Sequence, residues 1–177
     1  MPGRNQAQGL RVGAIMNARK FAALAATAGL VAFAAQRSQA AENPFAYLAG
    51  SWSGAGKIVV SNGSSERIRC RGTYKPASAS ELALSLRCAS DSYKFELASD
   101  ITYSGGNITG SWNEASRGVV GQLSGKATPA LISATASSIG FTATLSIATR
   151  GNTQNVSMKS PGSEVSEVTI SLARGGK

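Results

Sequence analysis

The sequence predicts an all-β domain, an antiparallel up-and-down β-barrel of about eight to ten strands. Three observations carry this. From residue 51 onward the chain is a succession of short alternating segments separated by Gly, Asn, Ser and Pro turns. No helical pattern interrupts them, so sequential neighbours run antiparallel and are joined by hairpins. The region is rich in Ser, Thr and Gly, and closing such a sheet on itself removes its exposed edges. A two-sheet β-sandwich is the alternative arrangement.

Residues 1–40 stand apart from this pattern. They hold five cations (Arg4, Arg11, Arg19, Lys20, Arg37) and no carboxylate. Arg19 and Lys20 precede an apolar run of 15 residues, Phe21–Ala35, and Ser38-Gln39-Ala40 supplies the small-x-small pattern of a signal-peptidase site. A membrane anchor wants about 20 apolar residues, so a cleaved secretory signal is the expectation, with Met16 a second candidate for the start. No Cys stands at the cleavage pattern directly after the apolar run, so the lipoprotein route is not expected. The expected organisation is a signal peptide at 1–40 and one barrel domain at 41–177. The expected location is periplasmic or secreted, with no transmembrane segment after cleavage.

Residues 41–177 carry 13 cations and nine carboxylates, a net charge of +4. That modest excess, without a groove-reading element, argues against a nucleic-acid partner. The domain is long enough to bury a core. Its two cysteines, Cys70 and Cys88, suggest one disulfide in an oxidising compartment.

Asn43–Ala49 reads as a short helix, with Asn43 as cap, Pro44 in the first turn and Gly50 as stop. Strand-like segments then fall at 51–60, 65–75, 81–90, 92–99, 100–104, 108–114, 118–127, 130–137, 139–149, 153–160 and 165–174. Taking 92–104 as one bent strand gives ten. Turns fall at Ser61-Asn62-Gly63, Pro76–Ser80, Ser90-Asp91, Gly105-Gly106-Asn107, Ala115–Gly118, Arg150-Gly151-Asn152 and Pro161-Gly162. The stretch 130–149 is rich in Ala, Ser and Thr, which either leaves room inside a barrel or marks ordinary solvated faces.

The cysteines set a register. Ile68, Cys70, Gly72 and Tyr74 share one face of their strand, and Leu82, Leu84, Leu86 and Cys88 share one face of the next. Placing Cys70 opposite Cys88 sets Gly72 against Leu86 and Tyr74 against Leu84, all on the apolar side, within bridging distance. Two buried thiols or a metal pair are the alternatives, and two Cys without His make a poor zinc site. A two-residue turn at Ser90-Asp91 would then set Cys88 against Tyr93, Leu86 against Phe95 and Leu84 against Leu97. The reverse face carries Arg67, Arg69, Arg71, Arg87 and Lys94, with Arg71, Arg87 and Lys94 in one row. This face is either a solvated exterior or an anion-binding patch.

The chain contains no histidine, which removes Ser-His-Asp and Cys-His catalysis, His-ligated haem and the usual zinc centres. Gly54-Ala55-Gly56 lies in a strand and lacks the helix of a phosphate-binding loop. Glu66, Glu96 and Glu114 are the carboxylates a barrel could bring together, but nothing in their spacing demands it and surface solvation is the better account. No cofactor, no metal and no enzymatic activity are expected. The few aromatics form no evenly spaced stacking platform.

Gly50-Ser51-Trp52 opens the first strand, and Gly110-Ser111-Trp112 recurs near mid-chain. The first allows a sharp turn and a Trp that plugs one end of the core. The order Asn-Pro-Phe-x-x-Leu-x-Gly-x-Trp-x-Gly-x-Gly over Asn43–Gly56 resembles the start of calycin-type barrels, the lipocalins and nitrobindin-like proteins. The resemblance covers that stretch and the strand count. It implies an eight- or ten-stranded barrel that holds a small apolar ligand or haem in its lumen. It also implies a late Arg packed across the first-strand Trp, for which Arg174 is the candidate. The missing histidine departs from the nitrobindin-like pattern, so haem ligation of that kind is not carried over. The expected function is an exported binding protein for a small apolar or amphipathic ligand, with Trp52 at the closed end and Tyr74, Phe95 and Trp112 along the wall. The alternative is an interaction protein, similar to small periplasmic protease-inhibiting barrels, whose basic exterior meets an envelope component or another protein.

Overall fold

The computed structural model describes residues 43–175. The proposed signal at 1–40 lies outside the described residues. Ten strands follow one another: β1 (Gly50–Val60), β2 (Ser65–Pro76), β3 (Glu81–Ala89), β4 (Lys94–Ser104), β5 (Asn107–Glu114), β6 (Val119–Ala127), β7 (Leu131–Ser138), β8 (Phe141–Arg150), β9 (Thr153–Lys159) and β10 (Val165–Arg174). Each is antiparallel to its chain neighbours, and β1 pairs with β10, so the sheet closes into a barrel. The sandwich alternative is excluded. No helix of the described residues is long and apolar enough to cross a membrane.

The up-and-down order places the turns at 61–64, 90–93, 115–118, 139–140 and 160–164 at one end. The other turns, both ends of the described chain and the segment before β1 lie at the opposite end. The tight β4–β5 hairpin needs left-handed backbone at both Gly105 and Gly106, with φ of 55° and 88°. Such a two-residue turn matches the twist of the strands it joins. In β1, a Cβ on Gly54 would run into the backbone carbonyl of Ser171, and one on Gly56 into that of Thr169. These two glycines let β1 coil tightly against β10, where the barrel seam is made.

The segment expected as a short helix is a pair of linked turns instead, with Ala46 and Leu48 amides bonded to the carbonyls of Asn43 and Phe45. Both bonds reach only the third residue back and do not propagate, and the Asn43 side chain accepts from the Phe45 amide at 2.9 Å. The carbonyls at the end of the segment are taken by side chains. Trp52 Nε1 donates to Leu48 O at 2.7 Å, and Arg174 donates to Tyr47 O and Ala49 O.

Cys70 and Cys88 are directly paired and form a disulfide, and the β2–β3 register is the one their spacing predicts. The β3–β4 register differs from expectation by two residues: Cys88 faces Phe95, Leu86 faces Leu97 and Leu84 faces Ser99. The turn is centred one residue later, on Asp91 and Ser92. Ser90 N donates to Tyr93 O at 2.8 Å and Tyr93 N to Ser90 Oγ at 3.0 Å. Glu66 anchors that turn through the Ser92 amide at 3.2 Å. Because the slip is even, the same side chains still face inward.

Candidate functional site

The interior has a sealed floor, an apolar wall and a mouth. The floor is built by the turns before β1. Phe45, Leu48 and Trp52 are at most 1 % exposed. Phe45 meets Tyr103 edge-on, and Trp52 meets Tyr74 edge-on. The Arg174 guanidinium carbon lies 4.4 Å from the Trp52 ring centroid, so the Arg expected from the resemblance occupies the place it implies. Polar groups at the floor satisfy one another. Tyr74 donates to Gln154 Oε1 at 2.8 Å, and Gln154 Nε2 donates to Thr149 Oγ1 at 3.2 Å. Burial pushes the Tyr74 hydroxyl up to about 12, only partly offset by its bond to Gln154.

Above the floor the inward positions are aliphatic or small. Leu84, Leu86, Leu123, Ala134, Ile147 and Val156 line this level and are only partly buried. They occupy inward positions of their strands and pack against the core without being fully covered by it. The Ala-rich stretch serves both readings raised by its composition. Ala134, Ala136 and Ala143 point inward and keep the wall thin, while Ser133, Thr135 and Ser137 form the exposed outer face.

The mouth carries the charges. Phe95 is stacked with Tyr93, their centroids 6.3 Å apart, and Arg117 Cζ lies 4.7 Å from the Phe95 centroid. Tyr93 reaches across to Glu164 Oε1 at 3.2 Å. Its hydroxyl is held above the usual phenol range by desolvation and by its bond to Glu164. Glu114 accepts from the amides of Glu96 (2.8 Å), Arg117 (2.9 Å) and Ser116 (3.1 Å), and Arg117 Nη1 stands 3.8 Å away. Burial pushes its carboxyl up, but these bonds outweigh burial and leave it below the usual range. On the far side of the rim, Ile139 at the β7–β8 tip is fully exposed.

The four side chains expected to line the lumen are thus distributed unevenly. Trp52 and Tyr74 belong to the closed floor. Phe95 stands at the mouth. Trp112 lies in the upper wall at 8 % exposure, donates to Gln122 O at 3.1 Å and meets Phe141 edge-on. The second Gly-Ser-Trp stretch therefore places its Trp at the other end of the barrel from the first. Sequence reasoning passed over Gln154, a polar group at an inward position of an otherwise alternating strand, and weighed Glu114 as a solvated carboxylate where the structure buries it at another such inward position. That parity was the available signal.

Glu66, Glu96 and Glu114 do not converge. Glu66 is held below the usual range by bonds from Ser92 and Ser90 at the β3–β4 turn, and Glu96 points outward to Lys94 at 2.8 Å. The expected row of Arg71, Arg87 and Lys94 is corrected by the register. Glu96 takes the place opposite Arg87, and Lys94 moves one row up beside Ala89. Arg67, Arg69, Arg71 and Arg87 remain exposed on the outer face.

No protein-family model matches the chain, and no curated protein does. Solved structures match it in fold. Rv2717c from M. tuberculosis aligns with a TM-score of 0.60 at 13 % identity, covering 77 % of this chain and 98 % of that one. The S-type phycobiliprotein lyase CPES from Guillardia theta aligns with a TM-score of 0.50 at 13 % identity, covering 75 % and 91 %. At these identities the likeness is one of fold. The chain is a closed, ten-stranded β-barrel similar to these proteins.

Proposed function

We propose that this chain is an exported, non-enzymatic binding protein of calycin type that takes the apolar part of a small ligand into its lumen. The observation that carries the reading is the belt of inward aliphatic side chains that stay accessible between a sealed floor and a charged mouth. Binding sites for small molecules are concave, mostly apolar and marked by a few polar groups. Among the described residues no buried side-chain polar atom lacks a hydrogen bond. The floor therefore offers a ligand's polar end nothing that water does not, and the ligand sits tail-inward with its head among Tyr93, Glu114 and Arg117. The disulfide supports an oxidising compartment, in keeping with export.

The test is titration with the fluorescent probe N-phenyl-1-naphthylamine. The expected result is a saturable, blue-shifted signal at one probe per chain, lost in Ala134→Phe, which fills the lumen. Absence of saturable binding to the folded wild type, or equal binding by Ala134→Phe, overturns the reading.

A further inference from the structure

We propose that the outer face of β1, β2 and β3 is a docking surface for an anionic lipid membrane. Five cations stand there in three consecutive cross-strand rows. Lys57 is paired with Arg67, Arg69 lies between Ala55 and Ala89, and Arg71 is paired with Arg87. All five are exposed, and no ion pair among the described residues engages any of them. The only carboxylate paired into these rows is Glu96, opposite Arg87 and already bound by Lys94. One row higher and one strand over, Glu167 is paired with Lys159.

Two features set this face apart from an ordinary solvated exterior. Like charges directly opposite each other on neighbouring strands are unfavourable, and this face has two such pairs, Lys57 with Arg67 and Arg71 with Arg87. Their outward neighbours along the strands are small: Ser53, Ala55, Thr73, Ser85 and Ala89. Glu96 opposite Arg87 is the one carboxylate that offsets this charge, and it is shared with Lys94. With strands about 4.8 Å apart and about 3.3 Å rise per residue, the five charges occupy roughly 10 by 13 Å. The potential of such a cluster is relieved by an external anion.

The shape of the face selects among polyanions. A convex barrel flank meets a plane along a few adjacent strands only, and the cations are confined to three. The cross-strand rows carry no aromatic on which a nucleobase could stack. They offer point charges alone, as polybasic membrane contacts do. Arg67, Arg69 and Arg71 lie in the part of β2 nearer the mouth than the floor, so the flank that docks is the one next to the mouth. The preference for lipid over other polyanions rests on the ligand reading above; the docking itself does not.

The experiment is co-sedimentation of the protein with phosphatidylcholine vesicles, with and without phosphatidylglycerol, at low and at high salt. The expected result is partitioning onto the phosphatidylglycerol vesicles alone, lost at high salt. It falls about fivefold for each cation removed, hence roughly 25-fold in Arg69→Ser combined with Arg71→Ser. The unfolding temperature of that variant is expected unchanged or raised, since one like-charge pair is gone. Equal partition onto neutral vesicles, an undiminished partition of the double variant, or binding to polyphosphate without binding to vesicles overturns the proposal. Ala134→Phe docks as the wild type does, so a failure of ligand binding and a failure of docking read out separately.

Discussion

Arg174 and Trp52 are cross-strand partners on the seam that closes the barrel, and the guanidinium of one lies over the indole of the other. The same guanidinium holds two carbonyls of the turns that seal the floor. One side chain thus joins the last strand, the first strand and the plug. Arg174→Ala is expected to cost about 2–3 kcal/mol, from a cation–π contact and two charge-assisted hydrogen bonds. Arg174→Lys should recover little of it, because an ammonium cannot span both carbonyls in the fork geometry of Arg. Denaturant unfolding followed by Trp fluorescence measures both, and full rescue by Lys would remove the bidentate account.

Trp52 itself is buried under this contact. Truncation to Ala should cost about 3–5 kcal/mol, the range for large aromatics in cores. A loss under about 1 kcal/mol in equilibrium unfolding would show that the plug does not depend on it.

The Cys70–Cys88 bond closes a loop of 18 residues' separation, for which loop-closure entropy gives about 3 kcal/mol. Reduction should lower the unfolding midpoint by that equivalent while leaving the barrel folded, since the two strands stay paired by their ladder. Free-thiol titration of the untreated protein should find no thiol in the described domain; two thiols would contradict the bridge.

Glu114 makes stability depend on acidity. Its folded pKa is depressed, so the contribution is fully present above the ordinary Glu value and is lost as pH falls through the lower, folded value. Glu114→Gln should be less stable than wild type at neutral pH by about 1.5–3 kcal/mol, the scale for hydrogen bonds to a charged acceptor. The gap should narrow below about pH 4. Unfolding of both proteins across that window checks it, and a gap independent of pH would mean the carboxylate charge is immaterial.

Inward parity was legible in the sequence wherever hydrophobic alternation was strong. The Cys70 and Cys88 parity set the β2–β3 register, and the turn residues gave the strand count. The β3–β4 turn was not legible, because one of the bonds that hold it, from the Ser92 amide to Glu66 on the neighbouring strand, exists only after β2 and β3 have paired. At 44–48 local propensity points to a helix, whereas the contacts that fix the segment, from Trp52 and Arg174 to the carbonyls of residues 47–49, are made by side chains, those of Arg174 across the barrel seam, and leave no local signature. The interior was harder still. Alternation says which side chains face inward, but whether Leu84, Leu86 and Ala134 meet across the lumen depends on barrel radius and coiling, which Gly54 and Gly56 help to set.

Every strand pairing but one joins segments consecutive along the chain. The exception, β1 with β10, is therefore the only sheet contact that needs ordering of the whole chain before it can form. Loop-closure cost delays such a contact, so the barrel should zip hairpin by hairpin and close last at Trp52 and Arg174. By the same logic this is where the native protein opens first, and amide hydrogens of β1 and β10 should exchange ahead of those in β3.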